Sequence, residues 1–306
     1  MNKAPYRCGV VAVAGRPNVG KSCLMNRLLE YKVSIVSDKP QTTRNSIRCI
    51  YTGEDFQAVF LDTPGIHLPK HKLGRALMES ATKALNEADL VCYVVEMGDG
   101  VITSEDEEVM RLLGEAGAPV LLVMNKADLA KRTDAERTRM LYGGKIPLLG
   151  AIPVSARTGE GLDALLAAVR DALPAGEAVY DDEMIVDRPE KFIVAEILRE
   201  KVLLLSHQEV PHNVAVEIEE YKSPDEYPER TALFVRATLY VEREGQKRIL
   251  IGREGARLKE IGRLARLDVE ALTGHKAFLD LWVKVRPGWR ESESDLRLFG
   301  IKERTS

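Results

Sequence analysis

Gly15-Arg-Pro-Asn-Val-Gly-Lys-Ser22 decides the fold. The stretch matches GxxxxGK[ST] and lies between the apolar run Gly9–Ala14 and a helical pattern over Lys21–Leu29. Its glycines let backbone N–H groups approach phosphates, and the N-terminus of the following helix points its positive dipole end at the same place. In that setting Gly15, Asn18, Val19, Gly20 and Cys23 line the phosphates. Lys21 reaches the β- and γ-phosphates, and the Ser22 hydroxyl ligates Mg²⁺.

Outward from this loop, short apolar runs alternate with helical patterns. Strands are expected over Gly9–Ala14, Ala58–Leu61, Leu90–Val95, Val120–Met124 and Ile152–Val154. Helices are expected over Lys21–Leu29, Leu73–Asn86, Ser104–Ala116 and Gly161–Ala172. Continuous apolar runs suit strands buried on both faces of a parallel sheet. The alternation predicts an α/β P-loop domain over residues 1–174, a mostly parallel sheet with helices on both faces. The acidic run Glu105–Glu108 after Thr103 and Ser104 suits a helix start.

Further motifs fall at the carboxyl ends of these strands. Asp62-Thr-Pro-Gly65 follows Ala58–Leu61, where a carboxylate holds Mg²⁺ directly or through water. The Gly65 N–H can meet the γ-phosphate, which makes the segment after it a sensor of that phosphate. Asn125-Lys-Ala-Asp128 follows the Val120–Met124 run. A carboxylate at Asp128 accepts from guanine N1–H and its exocyclic amine, a donor pair that adenine lacks, so an unpaired Asp128 penalises ATP. Asn125 can tie this loop to the phosphate loop, and the Lys126 stem can cover the base. Ser155-Ala156-Arg157 would supply backbone donors to the guanine oxygen. In Gln41-Thr-Thr-Arg44 a threonine completes the Mg²⁺ shell when GTP is bound; Thr43 is the first choice and Thr42 the alternative.

In this order and spacing the motifs resemble a translation-factor-class GTPase over residues 8–173. Lys21, Thr43 and Gly65 are then the groups closest to the reaction, and Ser22, Thr43 and Asp62 the metal set. One feature departs from Ras-like enzymes: Ile66 stands where they carry a water-orienting glutamine. Hydrolysis should therefore be slow. In related GTPases with this replacement an Asn at the place of Asn18 helps hold a monovalent cation, here K⁺, which would add positive charge beside the phosphates. A plain turn residue is the other reading of Asn18.

After Leu173 the pattern breaks into Pro-Ala-Gly-Glu-Ala-Val-Tyr-Asp-Asp-Glu, read as a linker over 175–188. Residues 189–306 read as a small α+β unit. Its expected order is helix (Lys191–Leu205), strand (Val214–Glu219), strand (Ala232–Glu242), strand (Arg248–Ile251), helix (Ala256–Leu272) and strand (Ala277–Val285). Gly252-Arg253-Glu254-Gly255 is a GxxG loop, and Leu258, Ile261, Leu264 and Ala265 make the buried stripe of the helix after it. Arg257, Lys259, Arg263 and Arg266 lie off that stripe. A GxxG loop brings backbone close to phosphates, and KH modules use it to clamp about four nucleotides.

The 306 residues carry a net charge of -3, which on its face argues against a nucleic-acid partner. By region the charge is uneven. Residues 1–180 hold 22 basic and 22 acidic side chains, 181–229 hold 5 and 14, and 243–290 hold 12 and 6. The basic excess sits on the GxxG unit, as an RNA groove needs. The four cysteines form no CxxC pair, which fits a reducing cytosol, and no apolar run reaches the roughly 18 residues of a membrane span. Lys3 and Arg7 before Gly9–Ala14 read as the approach to a buried strand, not as a signal peptide.

A GTPase domain joined to a C-terminal KH-like domain resembles the Era family of bacterial GTPases over nearly the whole chain. The matching strings are Gly15–Ser22, Pro40–Arg44, Asp62–His67, Asn125–Asp128 and Ile249–Arg266. The resemblance implies GTP/GDP binding with Mg²⁺ and slow hydrolysis. It implies binding near the 3′ end of small-subunit (16S) ribosomal RNA through Gly252, Arg253, Glu254, Gly255, Arg257, Lys259 and Arg263. It also implies a role in assembly of the 30S subunit by a cytoplasmic monomer with some peripheral membrane association. That last property has the least backing in these residues, which show no strong basic amphipathic anchor. Two rivals differ in class. A signalling or membrane-surface GTPase whose second domain binds protein would need no basic bias on the GxxG face. A tRNA-modification GTPase would need C-terminal cysteine chemistry, and no Cys follows Cys92.

Overall fold

Apolar, valine-rich segments make the centre of the first sheet. β1 (Arg7–Ala14), β3 (Phe56–Asp62), β4 (Leu90–Glu96) and β5 (Val120–Asn125) are buried along nearly their whole length, as parallel strands covered on both faces must be. The computed structural model describes residues 5–37, 39, 42–67, 69, 71–206 and 213–302, so Pro40 and Gln41 of the threonine motif lie outside the described residues.

β1 pairs in parallel with β3 and β4, β4 with β5, and β5 with β6 (Gly150–Pro153). β2 (Ile47–Thr52) adds an antiparallel edge on β3, and the order is β2-β3-β1-β4-β5-β6. The connections therefore leave β1 toward opposite sides. That creates the crevice at the carboxyl ends of the strands where open α/β sheets bind ligands. α1 (Lys21–Leu28), α2 (Lys72–Asn86), α3 (Ser104–Ala116), α4 (Arg132–Gly143) and α5 (Leu162–Ala172) complete this unit's helices. β2 and α4 have no counterpart among the expected elements. β2 is a short edge strand with a mixed burial pattern, and within α4 the strongly polar sequence buries Thr138 and Tyr142. Neither leaves a clear apolar period.

The chain divides into two compact units. One comprises Met1–Ser34, Thr43–Lys70 and Gly74–Asp187, and the other Ile35–Thr42, His71–Leu73 and Arg188–Ser306. Residues 175–187, expected as a connector, are held in the first unit. The fully buried Gln57 accepts from the amides of Val179 and Tyr180 (2.8 and 3.0 Å) and donates to the Tyr180 carbonyl (2.9 Å), and the Ile50 amide donates to Ile185. One buried carboxamide thus satisfies three backbone groups of the strap.

The second unit is a three-stranded sheet in the order β7-β8-β9, from β7 (Ala215–Lys222), β8 (Leu233–Val241) and β9 (Ala277–Val285). α6 (Glu190–Leu205), α7 (Glu244–Ile251) and α8 (Ala256–Thr273) bury one of its faces around Val202, Leu239, Val241, Leu250, Ile261 and Val283. α7 corrects the strand expected over Arg248–Ile251. The Gln246 side chain accepts from the Glu242 and Arg243 amides (2.9 and 3.0 Å), which starts a helix, and only Leu250 of the apolar run is fully buried while Ile249 is 40% exposed. A three-residue apolar run fits one turn of helix as well as a strand. The GxxG loop therefore joins two helices. No described helix is long and apolar enough to cross a membrane.

α9 (Glu293–Leu298) and the turn before it fold back on this unit. Trp289 is completely buried, donates its indole N–H to the Asn213 carbonyl (3.1 Å) and meets Phe299 edge-on. Trp289→Ala is expected to destabilise this unit by about 3–5 kcal/mol, the usual cost of emptying a buried aromatic site. Urea unfolding followed by circular dichroism checks it, and an unchanged transition would remove the tail from the core.

Candidate nucleotide site and RNA interface

The phosphate loop leaves β1 and re-enters the chain as α1. Gly20 has φ +97°, and a Cβ there would lie 2.3 Å from Asn125 Nδ2, so neither the turn nor the contact tolerates a side chain. The Lys21 amine is buried and donates to the carbonyls of Gly15 and Arg16, each at 2.9 Å. Burial lowers its pKa to about 8, with the Arg16 charge acting the same way and Asp62 opposing both. Arg16, which the sequence did not mark, pairs with Asp99 and approaches Asp106 at 3.5 Å. Asp106 is fully buried, caps α3 with Thr103, and accepts from the Tyr93 hydroxyl (3.2 Å). One member of the acidic run thus serves the loop as well as the helix dipole. Asn18 turns in the left-handed region at φ 66°.

Three oxygens expected to hold the metal converge. Ser22 Oγ lies 2.9 Å from Asp62 Oδ2 and 2.8 Å from Thr43 Oγ1. Asp62 is fully buried, and its Oδ1 has no hydrogen-bond partner. Burial raises its pKa, against the pull of the nearby Ser34 hydroxyl, of Lys21 and of the Ser22 hydroxyl. A buried carboxylate oxygen without a partner beside two hydroxyls is a donor set for a hard divalent cation, and Mg²⁺ suits a site with one carboxylate. Thr42 is engaged elsewhere: its hydroxyl donates to the Lys39 carbonyl (2.5 Å). Among the described residues no cluster of three His, Cys, Asp or Glu side chains forms a second metal site. A Cβ on Gly65 would come within 3.0 Å of Pro17, and Ile66 is buried with its amide on the Gly15 carbonyl (3.2 Å). That side chain has no means of orienting water.

The base-side loops are tied by Asn125. Its Nδ2 donates to the Val19 carbonyl (2.8 Å), and its Oδ1 accepts from the Ala156 amide (3.0 Å). The Ser155 amide donates to Glu160 (2.9 Å), so the amides of Ser155 and Ala156 are committed within the protein. What this loop presents to Asp128 is instead the Ser155 hydroxyl (2.6 Å) and the Arg157 guanidinium (2.6 Å), which together hold the carboxyl below its ordinary range. Lys126 lies at φ 64° with its amine 2.6 Å from Glu96, a second partner the sequence did not single out. Cys23 Sγ rests 3.9 Å from the Ala156 carbonyl.

The second cluster is the loop between α7 and α8. Gly252 (φ +73°) packs so tightly that a Cβ would lie 2.8 Å from Arg257 Cβ, and Glu254 takes a left-handed conformation at φ 52°. Arg253 and Glu254 are exposed, and Arg257 donates to the Ile249 carbonyl (3.0 Å). From Gly255 a groove of about 410 Å³ runs between α8 and the β9 edge, floored by Leu258, Gly262 and Leu281 and bordered by Lys259, Arg263 and Arg266. Arg263 is held by Glu260 through two 2.8 Å bonds.

A phosphate loop tied by Asn125 to a base-side loop, followed by a glycine-loop groove, defines a P-loop GTPase with a C-terminal KH domain. Two family models match these regions: 50S ribosome-binding GTPase over residues 10–126 and KH domain over residues 209–290. The chain is 44% identical to GTPase Era of Thermotoga maritima over 299 residues, covering 97% of this chain and 98% of that one. With GTPase Era of Carboxydothermus hydrogenoformans it shares 41% over 298 residues, 97% and 99% of the two chains. A crystal structure of Era in complex with MgGDPNP and nucleotides 1506–1542 of 16S ribosomal RNA superposes with a TM-score of 0.92 at 39% identity, covering 97% and 99%. An Aquifex aeolicus Era variant bound to GDP·AlF4⁻ gives 0.91 at 38%, with the same coverage. The chain belongs to the Era family of GTPases.

Lys21 generates a pH signature. Below pH 8 its amine is charged before a phosphate arrives; above pH 8 binding must bring a proton with it. GDP affinity is expected to fall as pH rises through 8, by at most about tenfold per pH unit. Titration calorimetry in buffers of differing ionisation heat should register the proton taken up. Equal affinity at pH 7 and 9 would place the titration elsewhere.

Proposed function

We propose that this chain is a GTP-dependent switch that holds the 3′-end region of small-subunit ribosomal RNA during maturation of that subunit in the cytosol. The observation that carries the reading is the convergence of Ser22, Thr43 and Asp62 beside the buried Lys21 amine, on the same chain as the basic GxxG groove. The relative solved with MgGDPNP and 16S RNA supports the choice of RNA.

Gly15, Gly20 and the α1 N-terminus cradle the phosphates, and Lys21 leaves its two carbonyls to reach the β- and γ-oxygens. Mg²⁺ would neutralise charge building between these phosphates. Ser22 and Asp62 would hold the ion, and Thr43 would add its hydroxyl when GTP is bound. Gly65 donates its N–H to the γ-phosphate. Asp128 selects guanine, for which Arg157 yields at least one carboxylate oxygen. Slow turnover follows from Ile66, whose buried aliphatic side chain cannot orient water. Asn18, poised at the loop apex, supports a K⁺ ion as partial compensation, so GTP should turn over faster in K⁺ than in Na⁺ buffer. Equal rates would dismiss that role.

On the RNA side, Gly252 and Gly255 admit the strand's backbone, Arg253, Arg257, Lys259 and Arg263 meet its phosphates, and Glu254 keeps the loop in shape. Replacing both Arg253 and Glu254 by Asp is expected to abolish binding to a single-stranded 3′-end oligonucleotide while GDP affinity stays within twofold. Fluorescence anisotropy with GTP analogue, GDP and no nucleotide measures both. RNA binding that survives the double change refutes the KH assignment and favours a protein-binding second domain.

A further inference from the structure

The sheet of the second unit has a face that its helices do not cover. β8 and β9 run parallel with Phe234 opposite Phe278 and Thr238 opposite Trp282. Strand alternation sends Phe234, Arg236, Phe278, Asp280 and Trp282 to that face. Phe299 covers one end, packing on Tyr240 at 5.2 Å. The middle of the strand displays Trp282 at 55% exposure and the other end Phe278 at 62%, the two most exposed aromatic side chains among the described residues.

The rings are ordered. Phe278 stacks on Phe234 with centroids 5.9 Å apart and planes within 10°. Arg230, Arg236 and Lys222 surround the Phe234 ring at 5.5–6.0 Å. Phe278 also lines the groove between α8 and β9. One side of its ring is therefore taken by Phe234, and its other side looks over the β9 edge where the groove runs. Three carboxylates of the face are paired with cations, and the fourth, Glu217, is hydrogen-bonded but keeps its charge. Glu220 pairs with Lys222 (2.7 Å) and Arg236, Asp280 with Arg236 (2.8 Å), and Glu219 with Lys284 (3.1 Å), while Glu217 accepts from Tyr240 (2.9 Å). The face presents aromatic area without net repulsion of a phosphate chain.

We infer that this face is a second RNA-contacting surface: nucleotides leaving the GxxG groove cross the β9 edge and stack on Phe278 and Trp282. The inference rests on the reading of the groove as an RNA site. Continuity selects the occupant, since the ring that borders the groove also ends the stacked pair. Aromatic platforms hold single-stranded bases with little sequence preference. The groove would clamp about four nucleotides, and the platform would hold those that follow.

The test uses the full chain and a fluorescein-labelled 12-nucleotide RNA of the small-subunit 3′ end. A matched RNA keeps every phosphate but carries abasic sites in one half or the other. Phe278→Ala and Trp282→Ala are each expected to weaken binding about 10-fold. Trp282→Phe should restore it and Trp282→Leu should not, and the losses should vanish with one of the half-abasic RNAs. The exposed Trp282 fluorescence should be quenched by the intact RNA, whereas the buried Trp289 is a silent background. Ring variants that bind RNA normally, while the Asp replacements at Arg253 and Glu254 do not, overturn the platform and leave the KH reading intact. If those Asp replacements also bind normally, both fall. Ring variants that keep RNA but lose purified 30S subunits overturn the inference in favour of a protein-facing surface.

Discussion

The carboxamide of Asn125 is the pin on which the nucleotide site depends. One side chain donates to the phosphate loop at Val19 and accepts from the Ala156 amide in the base loop. Both bonds are buried, so losing either would leave a desolvated polar group in the middle of the site. The same pin explains why residue 20 must be glycine: the carboxamide lies where a Cβ would go. Because Asn125 ends β5 and the phosphate loop begins after β1, the β1-β4-β5 ladder brings these segments within reach. Sheet register and ligand chemistry are one constraint here.

Around that pin, charge is arranged to be exchangeable. Lys21 is held by two carbonyls, and Asp128 by a hydroxyl and a guanidinium whose side chain is 72% exposed. The Arg157 end of this pair is open to solvent, so water can replace its contact with the carboxylate. Yet while it is there, Asp128 stays ionised and oriented. The site is preorganised through contacts that ligands replace, which avoids stranding a buried charge.

Much of this was readable from sequence because phosphate, metal and guanine recognition each need particular residue types at fixed positions after a strand. The glycine loop, Asp62 and the Asn125–Asp128 motif are local and chemically specific, and Thr43, the threonine directly before Arg44, lies against Ser22. The partners supplied by tertiary contact were not readable. Arg16 meets Asp106 from a helix 90 positions on, and Glu96 meets Lys126 across neighbouring strands. β2 and α4 escaped because edge and surface elements lack strong periodicity, and α7 was mistaken for a strand because three apolar residues carry no period. The ring stack of Phe234 and Phe278 escaped too, since only strand register reveals that residues 44 positions apart are opposite one another.

Charge illustrates the difference between composition and placement. The basic surplus of residues 243–290 points to phosphate, but the structure spends part of it: Arg290 on Glu242 and Arg286 on Asp295. Such pairs fix side-chain direction more than they add stability. What remains for phosphate is the α8 border beside the glycine loop, with Arg253 and Lys259 exposed. On the sheet face the basic residues are matched by carboxylates, so any attraction there must come from aromatic area. Phosphate capture and base stacking are thus assigned to adjacent surfaces that meet at Phe278. The first should weaken steeply with salt and the second barely at all, a physical division that net charge alone would have concealed.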